Sequence, residues 1–474
     1  MSAPSRAEIE PGRAPQRAGA DVTGSPLYTR FVSRVLFPLQ EGAKRHRTVA
    51  LRRELETTQW WPAERLRQLQ LDRLRALLVH ANAQVPYYRS LFAQHAIDPS
   101  RFRALAQLQT LPFLTKPLIR AHAESLKSNT AQGLARFNTG GSSGEPLIFF
   151  IGTERVSHDV AAKWRATRWW NVDIGDPETV VWGSPIELGA QDRVRWLRDR
   201  LMRTELLPAF EMSEARLDDF VARIRARRPR MLFGYPSALA RIAEHAARRG
   251  QRMDDLGIRV AFVTAERLYD EQRNLIATTF GCAVANGYGS RDAGFIAHQC
   301  PSGRMHITAE DIIVELVDPD GRPVATGESG EIVVTHLATG DFPFIRYRTG
   351  DMAVMDDEPC PCGRGLPVLR EIQGRATDFV QAHDGTPMHG LALIYTLRDI
   401  VGISAFKIIQ ETRELTRVLL VADERCDLGA ATRRIEADFK ARLGAAVRIE
   451  VEPVASIAAE KSGKYRYVVS KVGA

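Results

Sequence analysis

Cysteine is scarce in this sequence, and the five present are an odd number. So few thiols cannot staple a fold through disulfides; free thiols or metal ligands in a reducing compartment are expected instead. Long hydrophobic runs are missing as well. No stretch reaches the roughly eighteen apolar residues that a spanning helix needs. The first twenty residues are rich in Ala, Pro, Arg and Glu and lack the apolar centre of a secretory signal, so a cytoplasmic protein is expected. No internal repeat is present. A Walker A loop is absent too: the nearest Gly/Ser segment ends Gly144-Glu145-Pro146, where that motif needs Gly-Lys followed by Ser or Thr.

The 474 residues, 44% of them hydrophobic, are enough for two or three domains with sizeable cores. Residues 1–24 hold almost no apolar material and are expected to be a disordered tail. A helix is predicted from Ser25-Pro26, with Tyr28, Phe31, Val32, Val35 and Leu36 at helical spacing. Residues 26–38 have two readings, packing on the protein's own body or peripheral contact with a membrane. A second helix runs through Leu74, Leu77, Leu78 and Ala81. From Phe137 to about Ile307, short apolar strands such as Val180–Trp182, Met231–Phe233 and Val260–Val263 alternate with helical patterns, the signature of α/β layers. Antiparallel strands, Asp311–Val317 and Glu331–Thr335 among them, are predicted to follow as a small β subdomain. After Thr377 the pattern becomes hairpin, helix, two strands, helix, strand. The expected organisation is therefore an α/β domain over 25–376 and a small α+β domain over 377–474.

Two hydroxyl-bearing residue types and several glycines meet in Thr139-Gly140-Gly141-Ser142-Ser143-Gly144, followed by an apolar strand, Pro146 to Ile151. Such a loop turns backbone N–H groups and hydroxyls towards a single anion, although its composition also suits a plain surface turn. Further segments follow in order: Tyr288-Gly289-Ser290-Arg291-Asp292, Tyr347-Arg348-Thr349-Gly350-Asp351, Gly374-Arg375 with Asp378, and Gly463-Lys464-Tyr465-Arg466. Together they resemble the ordered motifs of the adenylate-forming superfamily of acyl-CoA synthetases. Within it the sequence is similar to the phenylacetate-CoA ligase branch, including relatives found with capsular polysaccharide genes. The resemblance runs from about Trp60 to Lys471.

That resemblance implies a large AMP-binding domain carrying a mobile carboxy-terminal lid that swings about the segment after Gly374-Arg375. Thr139, Ser142, Ser143 and Gly144 would hold the β- and γ-phosphates of ATP. Lys464 would bridge the α-phosphate and the acyl carboxylate, with the alternative that it is an ordinary exposed lysine. Asp351 would accept hydrogen bonds from both ribose hydroxyls and Arg375 would add a donor, the alternative being an Asp351–Arg375 ion pair in a turn. Tyr288, with Gly289 and Ser290, would lie beside the adenine. Asp292 stands where the family usually has Glu, so its Mg²⁺ would be held through a water. Thr377 replaces the first of the family's usual adjacent acids, which leaves the hinge residue open.

Cys300, His306, Cys360 and Cys362 bring three thiols and an imidazole from two loops, a complete tetrahedral set for a structural Zn²⁺. Cys282 and Cys426 have no partners at ligand spacing. Trp182, Tyr235 and Pro236 end strands on the side where ligands of open sheets collect, and line either an acyl pocket or the core.

The formal charge of +8 suits polyanionic ATP and CoA. The arginine runs 193–198 and 223–230 sit in amphipathic helical patterns, so no nucleic-acid partner is expected. The predicted activity is ATP-dependent adenylation of a carboxylic acid, an aryl acid by resemblance, followed by transfer to CoA. Transfer to an amine or hydroxyl of a surface polysaccharide, and a non-catalytic binding relative, stand as alternatives. A homodimer is left open.

Overall fold

The computed structural model describes residues 26–138, 147–182, 193–209, 212–375, 379–458 and 466–472. The Gly/Ser segment 139–146, residues 376–378 and the Gly-Lys segment 459–465 fall outside that set.

Strands β1 (Ala135–Asn138) and β2 (Ile148–Ile151) pair antiparallel, with Asn138 opposite Ile148 on either side of the Gly/Ser segment. The apolar run after the loop is thus a strand, as expected. Next come β3 (Glu178–Trp182), β4 (Thr204–Pro208), β5 (Met231–Gly234), β6 (Val260–Thr264) and β7 (Ala283–Ser290). These five pair parallel in the order β4-β3-β5-β6-β7. Every residue of Met231-Leu232-Phe233-Gly234 is buried, as a parallel strand covered on both faces requires. The alternation of side chains splits them between two cores. Met231 and Phe233 join the core shared with Leu74, Leu77, Leu78 and Ala81 of helix Ala63–Gln84. Leu232 faces the other way, towards Phe220, Ile224, Leu239 and Ile276 on three helices of the opposite layer.

The strands that follow are antiparallel: β8 (Gly294–Gln299), β9 (Met305–Ile307), β10 (Ile312–Val317), β11 (Ser329–His336), β12 (Tyr347–Asp356) and β13 (Val368–Arg375). They do not stand apart as a separate subdomain. β8 pairs with β7 and β13 pairs with β9, so one sheet of eleven strands runs β10-β11-β12-β13-β9-β8-β7-β6-β5-β3-β4. The change from parallel to antiparallel falls at the β7–β8 turn, which carries Ser290-Arg291-Asp292.

A new sheet begins beyond residue 378. β14 (Phe379–Gln381) and β15 (Pro387–His389) form a hairpin. β16 (Ile403–Gln410), β17 (Leu415–Ala422), β18 (Arg448–Pro453) and β19 (Val468–Ser470) form a four-stranded sheet ordered β18-β17-β16-β19. Ile408, Val418 and Leu420 meet Ile435 and Phe439 of helix Leu428–Leu443 in a core of their own. That helix starts where the Asp427 carboxylate accepts the Ala430 N–H at 2.9 Å. Strand β19 is an addition to the sequence reading: it pairs parallel with β16 and holds the chain just beyond Lys464. Tyr467, between them, packs edge-on to Tyr269 of the larger body at 5.4 Å.

Candidate active site

The Tyr347–Asp351 segment departs from regular strand pairing. Glu331 of β11 lies opposite Met352, and Val333 lies opposite Arg348. Residues 349–351 therefore stand against Ile332 alone, and the excess chain is thrown out as a bulge. Gly350 takes φ +80° there, a left-handed conformation that glycine adopts without steric cost. Glu331 pins the bulge by accepting from the Gly350 N–H at 3.1 Å and from Arg348 Nε at 2.8 Å. Thr349 Oγ1 donates to the Ile332 carbonyl at 2.8 Å and accepts the Asp351 N–H at 3.1 Å.

Asp351 is thereby brought to the β7 edge, where the Tyr288 hydroxyl donates to its Oδ2 at 2.8 Å. Burial and the neighbouring Asp351 carboxylate push the Tyr288 phenol well above its ordinary range, so it stays a donor. Its link to Asp351 gives Tyr288 a positioning role that the motif alone did not suggest. Across the sheet Asp351 is paired in register with Arg375, the last residue of β13. The two expected ribose-binding residues thus share one rung, although the Arg375 side chain lies outside the described set.

The β7–β8 turn is tight. A Cβ on Gly289 would sit 2.3 Å from the Gly294 carbonyl oxygen, so a side chain is excluded there. Ser290 accepts the Ala293 N–H at 3.0 Å and is exposed. Asp292 is only 6% exposed, and its Oδ2 accepts the Tyr347 hydroxyl. Burial raises this carboxyl, but hydrogen bonds from Ser290 and Tyr347 and the charge of Lys116 outweigh it and hold the group below its usual range. Asp292 is therefore ionised and braces the turn against Tyr347.

The aromatic residues at the carboxyl edge divide. Trp182 is half-buried and stacks on Tyr235 at 4.3 Å. Tyr235 itself is 3% exposed and belongs to the core, and Pro236 is buried as the first residue of helix Pro236–Arg248. Of the three, Trp182 alone presents surface to the edge.

Cys300, His306, Cys360 and Cys362 converge, with one ligand atom from each lying within 4.8 Å of all the others. Cys300 Sγ is 3.6 Å from Cys360 Sγ, and Cys362 Sγ is 3.2 Å from His306 Nε2. A tetrahedron with metal–sulfur bonds of ~2.3 Å has edges of about 3.8 Å, so these two separations are compatible with a zinc ion. His306 Nδ1 lies 3.2 Å from the Leu366 carbonyl, which fixes that nitrogen as the N–H donor and turns the Nε2 lone pair inward. Burial holds the imidazole at about 4, neutral and ready to ligate. The cluster ties the β8–β9 turn to the β12–β13 loop.

The profile of the AMP-binding enzyme family matches residues 207–339, and that of the CapK C-terminal domain matches residues 381–471. The phenylacetate-coenzyme A ligase of Thermus thermophilus is 28% identical over 341 residues, covering 69% of this chain and 73% of its own. Protein CapK of Staphylococcus aureus is 22% identical over 415 residues, covering 85% and 89%. The chain belongs to the adenylate-forming superfamily. A 2-hydroxyisobutyryl-CoA ligase, solved in a postadenylation state with an acyl-AMP, has the same fold, with a TM-score of 0.69, 22% identity and coverage of 87% of this chain and 90% of that one.

In this superfamily member the predicted phosphate residues Thr139, Ser142, Ser143 and Gly144, and the predicted Lys464, lie outside the described residues. The structure adds others that the motifs did not reveal. Arg155, 2% exposed on helix Thr153–Arg168, donates from Nη1 to the Asp292 carbonyl at 2.8 Å and from Nη2 to the Arg291 carbonyl at 3.0 Å, so it clamps the β7–β8 turn. Lys116 brings positive charge to the Asp292 carboxylate from a segment that runs beside Tyr347. At the end of β6, Ala265 adopts φ +69°, and Glu266 Oε2 accepts the Ser237 N–H at 3.2 Å. A non-glycine residue held in that region marks local strain at the carboxyl end of β6. Only the position of these segments next to strand ends could have pointed to them.

Proposed function

We propose that this protein is an AMP-forming carboxylate-CoA ligase. The observation that carries this reading is the rung at which Asp351, raised on a bulge and held by Tyr288, stands opposite Arg375 beside the Ser290–Asp292 turn. A charged acceptor and a cation on neighbouring strands suit a vicinal diol such as a ribose. The carboxylate oxygen of the substrate attacks the α-phosphorus of ATP, the α–β phosphoanhydride bond breaks, and pyrophosphate leaves. Thr139, Ser142, Ser143 and Gly144 would hold the β- and γ-phosphates, and Lys464 would neutralise charge between the α-phosphate and the attacking carboxylate. The CoA sulfur then attacks the acyl carbonyl, AMP departs, and a thioester results. Residues 377–474 act as a lid that brings Lys464 in for the first step and withdraws it for the second. The relatives named phenylacetate-CoA ligase support an aryl acid, for which half-buried Trp182 backed by Tyr235 supplies a flat apolar wall. Zinc at Cys300, His306, Cys360 and Cys362 serves stability.

One observation favours a different acceptor. The part of the chain that would meet the second substrate, 381–471, matches the CapK C-terminal domain. Adenylation followed by transfer to an amine or hydroxyl is the second reading. A pyrophosphate-release screen over aryl, fatty and hydroxy acids, with CoA or an amino sugar added, separates them. Thioester formation from the activated acid supports the first reading; discharge onto the amino sugar alone supports the second, and silence with every acid contradicts both.

A further inference from the structure

The amino-terminal helical segment Pro26–Ala43 is anchored by one side only. Val32 is fully buried and Phe37 is 6% exposed, both packed with Ile174. Thr29 Oγ1 donates to Asp176 at 3.0 Å, the Tyr28 hydroxyl donates to the Leu201 carbonyl at 3.0 Å, and the Arg203 guanidinium lies over the Tyr28 ring at 4.2 Å. These contacts fix the rotation of the segment. They leave a ridge of Leu27, Phe31, Val35 and Leu39, spaced every fourth residue, with exposures of 73%, 49%, 43% and 67%. Leu197 and Leu201, on the face of helix Arg193–Met202 beside Tyr28, are 51% and 38% exposed. Six of the eleven exposed large apolar side chains among the described residues therefore belong to two touching helices. Scattered singly they would need no explanation; gathered this way they mark a contact surface.

Charge decides what the surface contacts. Arg30 and Arg34 accompany the ridge, and Arg198 and Arg200 accompany the two leucines. The acidic groups beside the ridge are engaged: Asp176 accepts from Thr29, Glu41 is 3% exposed and bonded to Thr48 and His46, and Asp199 is paired with Arg198. Residues 1–25 are poorly suited to cover the ridge, because they offer only Met1, Ile9 and Val22 as large apolar side chains and balance Arg6, Arg13 and Arg17 against Glu8, Glu10 and Asp21. We propose that the Leu27-Phe31-Val35-Leu39 ridge, with Leu197 and Leu201, docks the protein reversibly on an anionic lipid surface. The helices lie in the interface plane, apolar side chains entering the headgroup boundary and arginines meeting the phosphates. No described helix is long and apolar enough to cross a membrane, so docking is peripheral. This proposal does not depend on the chemistry assigned above.

The test is flotation of the full-length chain with vesicles of phosphatidylcholine alone or mixed with phosphatidylglycerol. Binding should need the anionic lipid and fall as salt rises. Leu27→Ser with Leu39→Ser should reduce the bound fraction roughly tenfold, and Arg30→Gln with Arg34→Gln should remove much of the salt-sensitive part. All four positions lie on the exposed side, so the melting temperature and adenylation of the variants should match those of the parent. Equal flotation with neutral vesicles, no flotation, or unchanged flotation of the leucine variant overturns the proposal. A dimer in sedimentation that the leucine variant abolishes, without vesicle binding, assigns the ridge to a second copy instead and also overturns it.

Discussion

At the scale of single residues, the account turns on Asp351. Its carboxylate is oriented by Tyr288, and its place is set by the Gly350 bulge. Replacing Asp351 by Ala should weaken ATP and AMP binding by ~1.5–3 kcal/mol, the usual value of a hydrogen bond to a charged group. Tyr288→Phe keeps the carboxylate but frees its orientation, and should cost less, about 1 kcal/mol. Calorimetric titration with AMP checks both. Unchanged affinity with a lowered melting temperature would show that the Tyr288–Asp351 pair serves the fold alone. The motif residues were legible in the sequence because each is chemically distinctive within a short stretch. The bond between Tyr288 and Asp351 was not, because 63 positions separate them and only the sheet brings them together. Arg155 escaped for a related reason: its partners are backbone carbonyls, which carry no sequence mark.

At the scale of elements, the Cys/His cluster joins two connections that the sheet alone leaves loosely tied. β9 is three residues long and meets β13 through only two paired positions, Met305–Leu369 and His306–Val368. An ion held by Cys300, His306, Cys360 and Cys362 would secure that junction, on which the β12–β13 rung of Asp351 and Arg375 depends. Purified protein is expected to carry about one zinc per chain. Cys360→Ser should release it and lower thermal stability, with residual activity following the folded fraction. Elemental analysis of protein prepared without chelator checks this; a result without zinc would contradict it, and lost catalysis with retained stability would move the ion to the chemistry. The strands flanking these loops were readable from apolar alternation, and the cluster from ligand count. Continuity of the antiparallel strands with the parallel ones was not, since the β9–β13 pairing is long-range and β9 is too short to show a period. β19 was hidden likewise: three residues, Val468-Val469-Ser470, gain strand character only from β16 beside them.

At the scale of the whole molecule, the proposed chemistry needs Lys464 for one half-reaction and its removal for the other. A residue fixed in the cleft would affect both steps alike, whereas one carried on a moving lid should separate them. The most direct measurement is carboxylic-acid-dependent exchange of pyrophosphate into ATP by the parent protein and by Lys464→Ala, set beside discharge of a preformed acyl-adenylate by the same two proteins. The parent should catalyse exchange with at least one acid, and the variant should lose on the order of 10²-fold or more in exchange while discharging the adenylate at a rate close to the parent's. Absence of exchange with every acid class, or equal loss in both reactions, would contradict the account.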